Sequence, residues 1–143
     1  MADKKMKPAV LFVCLGNTCR SVIAETLARR ELGDLVNVAS AGLYPQPASD
    51  AAPAIGMLKA EYGLDASHHV PRDIREVSIE AFDYVVAMHK SVASKLTHIP
   101  REKLITWRVD DPWGKPHEYR VCAKQVLKEM ALLKTLIMER VGR

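Results

Sequence analysis

Four short apolar runs, at residues 10–13, 36–39, 84–87 and 104–107, are separated by stretches of helical period, and none of the four alternates strictly with polar residues. A strand that is apolar on both faces has to be covered on both faces, which the parallel sheet of an α/β protein provides. Between the runs, Ile23, Ala24, Leu27, Ala28 and Leu32 mark one helix. A second is expected from a cap at Ser49 or Asp50, through Ile55, Leu58 and Tyr62, to a stop at Gly63. Near the end, Tyr119, Cys122, Val126, Met130, Leu133 and Ile137 recur at spacings of three and four, one apolar stripe on a long amphipathic helix. The pattern predicts an α/β fold: a single three-layer domain over residues 1–143, with a small, about four-stranded parallel sheet flanked by helices. Ligands of such sheets sit at the carboxyl ends of the strands, and Cys14 ends the first run.

Composition excludes several classes. The chain has 143 residues, enough for one core, with no apolar stretch long enough to span a bilayer and no leader-like start, so a cytoplasmic protein without membrane insertion is expected. Three cysteines are too few for a disulfide scaffold, and Cys14 and Cys19 flank one short loop, a placement that suits chemistry or redox sensing. The net charge of +4 favours anionic partners, but its lysines and arginines are interleaved with acids such as Glu25, Glu31 and Glu129, so no nucleic acid is expected. No cofactor is implied. Zinc is not expected either, because four residues rather than two separate Cys14 from Cys19 and no histidine cluster complements them.

The chemistry concentrates in CLGNTCRS, residues 14–21. A loop that runs from a strand into a helix turns successive backbone N–H groups into one concavity, where the helix N-terminus adds partial positive charge. Leu15, Gly16, Asn17, Thr18, Cys19, Arg20 and Ser21 therefore form a candidate phosphate-binding loop. Gly16 permits close approach or a positive φ, Asn17 tolerates left-handed backbone, and Arg20 offers a planar fork to two phosphate oxygens. The same positive field favours the thiolate of Cys14, a strong nucleophile, with Ser21 able to donate to its sulfur. Phosphate-ester cleavage also needs a proton donor, and VDDPWG supplies acids beside Pro112, with Trp113 as an apolar wall.

Taken together, the VLFV run, CLGNTCRS, IAETL, SAG at residues 40–42, SHHVPR at 67–72, FDYVVAM at 82–88 and DDPWG at 110–114 resemble the low-molecular-weight protein tyrosine phosphatases, which include the bacterial protein-arginine phosphatases. The resemblance covers nearly the whole chain. It implies a hydrolase in which Cys14 is the nucleophile, Arg20 the phosphate clamp and Asp111, just before the proline, the general acid. It also implies that Asn17, Ser21, Ser40 and His69 form the hydrogen-bond network that shapes the loop. Cys19 is either a passive small residue or, as in relatives carrying this second cysteine, the partner of Cys14 in a reversible disulfide.

Leu15, Tyr44 and Trp113 suit a slot for phosphotyrosine on phosphorylated protein substrates, while Thr18 matches the relatives that act on phosphoarginine. Phosphotyrosine is placed first and phosphoarginine second. Thiol-dependent arsenate reduction and simple phosphate binding stand as further alternatives. A monomer is the default at this size. Two departures from the resemblance are Val22, where relatives carry proline, and the pair His89 and Val92, where many carry an acid and an amide.

Overall fold

The protein is described by a computed structural model covering residues 7–141. Its sheet has four parallel strands in the order β2, β1, β3, β4, with β1 Ala9–Cys14, β2 Asn37–Gly42, β3 Tyr84–Ala87 and β4 Leu104–Thr106. Strand β1 is central, and its side chains divide between two cores. Val10 and Phe12 face one, with α1 (Arg20–Glu31), α2 (Ala52–Tyr62) and α4 (Glu118–Val141); Leu11 and Val13 face the other, with Ile74, Val92 and Leu96. Burial on both faces is the physical reason residues 10–13 lack a polar alternation.

The connection after β1 runs to one side, to β2, whereas the one after β3 runs through the short helix α3 (Lys90–Ala93) to the other, to β4. The carboxyl ends of β1 and β3 thus flank a crevice where the chain direction switches, the usual ligand position in such sheets. Past β4, Trp107 N–H donates to the Ala87 carbonyl at 2.8 Å and Val109 N–H to Met88 at 3.0 Å, which carries Asp110 and Asp111 to that crevice. The Trp107 ring packs against Phe12, centroids 5.5 Å apart and planes tilted by 50°, a contact worth about 1 kcal/mol beyond its buried area.

Most expected elements form where the pattern places them, and all six stripe residues of α4 are buried. Three boundaries differ. Strand β2 continues to Gly42 because Ser40, Ala41 and Gly42 pair with Phe12, Val13 and Cys14. Trp107 lies just outside β4. The expected cap at Ser49 or Asp50 is replaced by a 3-10 turn, Ala48–Ala51, in which Asp50 N–H donates to the Pro47 carbonyl; α2 then starts at Ala52 without a side-chain cap. Its other end is as expected: Gly63 takes φ 66° and donates to Lys59, and Leu64 donates to Leu58. Among the described residues no helix is long and apolar enough to cross a membrane.

Candidate active site

The loop between β1 and α1 turns its carbonyls outward. Cys14, Leu15 and Gly16 carbonyls accept from the N–H groups of Leu43 (3.1 Å), Tyr44 (2.8 Å) and Gln46 (3.0 Å), and Cys19 accepts from Ile23 (3.0 Å). The Asn17 carbonyl accepts from His69 Nε2 at 2.7 Å, so the ring proton sits on Nε2. In a planar trans peptide the next N–H points opposite to the carbonyl, so the amides of Leu15, Gly16, Asn17, Thr18 and Arg20 face inward, over Cys14. One of them, Asn17 N–H, donates to Cys14 Sγ at 3.3 Å.

The turn requires left-handed backbone at Asn17, with φ 57°, as expected of that residue. Gly16 does not use a positive φ. It serves close approach instead: a Cβ there would lie 2.8 Å from Gln46 Cγ. Gly42 is less forgiving, since a Cβ would come within 2.9 Å of both Asn17 N and the Leu15 carbonyl oxygen, which are backbone atoms that cannot step aside as Gln46 Cγ can.

Asn17 also organises the side chains. Arg72 N–H donates to its Oδ1 at 2.8 Å, which fixes the amide orientation. Its Nδ2 then donates to Ser21 Oγ at 2.7 Å and Ser40 Oγ at 3.0 Å. Ser21 Oγ lies 2.9 Å from Cys14 Sγ and, with Asn17 donating to its oxygen, has its own proton free to donate to the sulfur. Ser40 in turn donates to Glu25 Oε1, and His69 Nδ1 lies 3.9 Å from the same oxygen. All four expected supporting residues are brought together. Glu25 is the member that sequence reasoning left among ordinary helix charges; its position one helical turn after Ser21 puts it on the same face, and that is the signal that marks it.

Arg20, only 6% exposed, donates from Nη1 to the Val109 carbonyl at 3.3 Å and holds Nη2 3.8 Å from Asp111 Oδ2. Its Nε is buried with no partner. A buried, cationic donor without an acceptor is costly unless the site is made for an anion. Asp111 Oδ1 accepts from Trp113 N–H at 3.0 Å. Its neighbour Asp110 turns to α4, where Gln125 Oε1 accepts from its N–H at 3.0 Å and Gln125 Nε2 donates to Oδ2 at 3.2 Å, so Asp111 alone of the two acids is bound to Arg20.

A cavity of about 420 Å³ opens above Cys14, lined by Leu15, Gly16, Thr18, Cys19, Arg20, Asp111 and Trp113. Gln46 and Lys115 line it too, and sequence reasoning missed both because an exposed glutamine and lysine carry no periodic or motif signal. Tyr44, placed in the slot from sequence, is a correction. Its side chain is 59% exposed and does not line the cavity; the chain bends at Tyr44, whose carbonyl accepts from Gln46 Nε2 at 2.9 Å, and Gln46 occupies the wall. Trp113 is 58% exposed, so it forms the rim of the cavity rather than a sealed wall.

All three thiols are free and buried. Tyr119 donates its hydroxyl proton to Cys19 Sγ at 3.3 Å; burial pushes the Cys19 thiol up, and this hydrogen bond partly opposes it. Cys122, within the apolar stripe of α4, is pushed up by burial to about 12.

A cysteine cradled by inward-facing amides, a buried arginine at the helix start and an aspartate across the cavity define a protein with a phosphate loop around a buried cysteine on a parallel α/β sheet. Residues 9–141 match the family described as low molecular weight phosphotyrosine protein phosphatase, and the chain belongs to that family. It is 36% identical to arsenate reductase 1 of Staphylococcus epidermidis over 110 residues, 76% of this chain and 81% of that one. The low molecular weight protein tyrosine phosphatase from T. tengcongensis is 33% identical, with a TM-score of 0.69 over 95% of this chain and 99% of that one. The YwlE arginine phosphatase from Geobacillus stearothermophilus is 26% identical, with a TM-score of 0.79 over 95% and 97% of the two chains.

Proposed function

We propose that this protein hydrolyses phosphotyrosine monoesters on phosphorylated proteins through a phosphocysteine intermediate. The observation that carries the reading is the convergence on one cavity of Cys14 Sγ, bonded to Ser21 and to Asn17 N–H, the orphaned Arg20 Nε, and Asp111 held by Arg20. Cys14 attacks phosphorus, the loop amides and Arg20 take the equatorial oxygens, and Asp111 gives its proton to the leaving phenol oxygen. Asp111, now a carboxylate, accepts a proton from the water that releases phosphate from sulfur, and the hydroxyl of Ser21 stabilises the departing thiolate.

The cavity rim supports an aryl ester over a guanidinium one. Leu15 and Trp113 offer apolar walls to a ring, and Lys115 at the same rim repels a second cation. Phosphoarginine is retained as a second reading because Thr18 lines the cavity, the position that suggests it. Arsenate reduction, the activity named for the Staphylococcus relative, needs a thiol that carries oxidising equivalents outward, whereas Cys122 is 2% exposed with its thiol pushed up to about 12. Cys14 and Cys19 line one cavity, which supports a protective disulfide between them once Cys14 is oxidised.

The test is initial rates on a phosphotyrosine and a phosphoarginine peptide, beside arsenate reduction coupled to thioredoxin, with Cys14→Ser as control. Faster phosphotyrosine turnover that vanishes in the variant is expected. Faster phosphoarginine turnover, arsenate-dependent turnover alone, or activity surviving Cys14→Ser would overturn the reading.

A further inference from the structure

A second groove, of about 370 Å³, lies on the other side of the wall formed by Leu15, Arg20 and Asp111, residues that also line the cavity over Cys14. Its far side comes from the turn into α3 and the residues just past that helix, with His89 and Lys95 as the polar groups able to donate. His89 and Val92, which also lines the groove, are positions where the chain departs from the pattern it otherwise resembles, and the hydrolysis steps leave His89 and Lys95 unused.

The tautomer of the neutral His89 ring follows from its contacts. Ser91 N–H donates to His89 Nδ1 at 3.3 Å, so the neutral ring carries its proton on Nε2 and remains a donor. Lys95 is exposed and has no ion-pair partner among the described residues. The two carboxylates that also line the groove are already engaged, Asp110 by Gln125 and Asp111 by Arg20 and the Trp113 amide. Arg20, with its unpartnered Nε, belongs to the phosphate site, and Ser91 Oγ lies 3.2 Å from His89 Nδ1, so on the far side of the groove the donors free to meet a ligand are those of His89 and Lys95.

The shared wall sets where such a ligand comes from. Leu15, 44% exposed, stands between the two openings. A ring inserted toward Cys14 leaves its main chain at the rim, and an extended chain advances roughly 3.3 Å per residue, so side chains one to three positions away reach the second groove. We propose that this groove binds an acidic residue of the substrate chain beside the phosphotyrosine, and that His89 and Lys95 are specificity-determining residues. The inference rests on the phosphotyrosine reading above and adds the class of substrate sequence the enzyme prefers.

The test compares kcat/KM on paired phosphotyrosine peptides carrying Glu or Lys at the flanking positions, for the wild type and for Lys95→Glu, with p-nitrophenyl phosphate as a substrate too small to reach the groove. The wild type is expected to favour the acidic peptide by about two- to fivefold, the size of an exposed ion pair, and the ratio shrinks as salt is added. Lys95→Glu is expected to abolish or invert the ratio while p-nitrophenyl phosphate turnover stays within about twofold. His89→Phe, which loses the Nε2 donor together with the Nδ1 acceptor of Ser91 N–H, should lower the ratio with p-nitrophenyl phosphate turnover as the control that α3 still supports the site. A ratio that is flat in the wild type, or unaltered in Lys95→Glu while p-nitrophenyl phosphate is still hydrolysed, overturns the inference alone. Failure of the wild type on all three substrates overturns the phosphatase reading itself.

Discussion

Asn17 is the residue whose replacement tests the architecture of the loop most directly, because its backbone and its side chain make separate, countable contributions. The side chain takes part in three hydrogen bonds, two donated to Ser21 and Ser40 and one accepted from Arg72 N–H. At roughly 1 kcal/mol net for each, Asn17→Gly should lower unfolding free energy by about 3 kcal/mol while keeping the φ of 57° easy to reach. Asn17→Ala loses the same bonds and must also place a Cβ in left-handed backbone, about 1 kcal/mol more. The expected order in urea unfolding is therefore wild type, then glycine, then alanine. Activity should fall in both by roughly tenfold to a hundredfold, since Ser21 is no longer held with its proton toward Cys14. Alanine and glycine variants of equal stability would refute the backbone part of this reasoning. A loss under about 1 kcal/mol in either would refute the network part.

Gly42→Ala should cut kcat/KM more than tenfold (order of magnitude ~10), because its Cβ meets backbone atoms of the loop, whereas Gly56→Ala, in α2 with open space around it, should raise stability by about 0.5–1 kcal/mol in the same unfolding assay. Asp111→Asn should lower kcat about 10²–10⁴-fold on a phosphotyrosine peptide and much less on an ester whose leaving group needs no proton, a split that steady-state rates resolve. Alkali should weaken the fold. Cys122 rises from near 9.0 to about 12 on burial, so the native state keeps a proton that the unfolded chain gives up. Its stabilising contribution is full below pH 9 and is lost as pH climbs toward 12, at about 1.4 kcal/mol per unit within that window. Unfolding midpoints measured across that range should fall less steeply in Cys122→Ala; an identical slope would count against burial as the cause.

Legibility in the sequence tracks how local the determining interaction is. The strand runs were readable because burial on two faces leaves its mark on consecutive residues, and the stripe of α4 because one buried face repeats every turn. Cys14 to Ser21 form one contiguous loop, so a loop able to hold an anion between strand and helix was legible in consecutive residues. Glu25 was not singled out because on its helix it pairs with Arg29 like any exposed charge; only Ser40, from the neighbouring strand, and His69, from a distant loop, make it part of the site. The missing cap of α2 has a similar cause. Ser49 and Asp50 carry good capping side chains, yet a 3-10 turn satisfies the backbone first.

The sequence by itself determined the class of fold and the phosphate loop, because hydrophobic period and loop chemistry act between residues close along the chain. Tertiary structure alone decided that Asp110 turns away to Gln125, that Gln46 rather than Tyr44 walls the cavity, and that His89 and Lys95 share a groove with Asp111. Each of those depends on where β2, β3, β4 and α4 deliver segments that lie up to a hundred residues apart, a placement set by packing across the sheet rather than by any local preference.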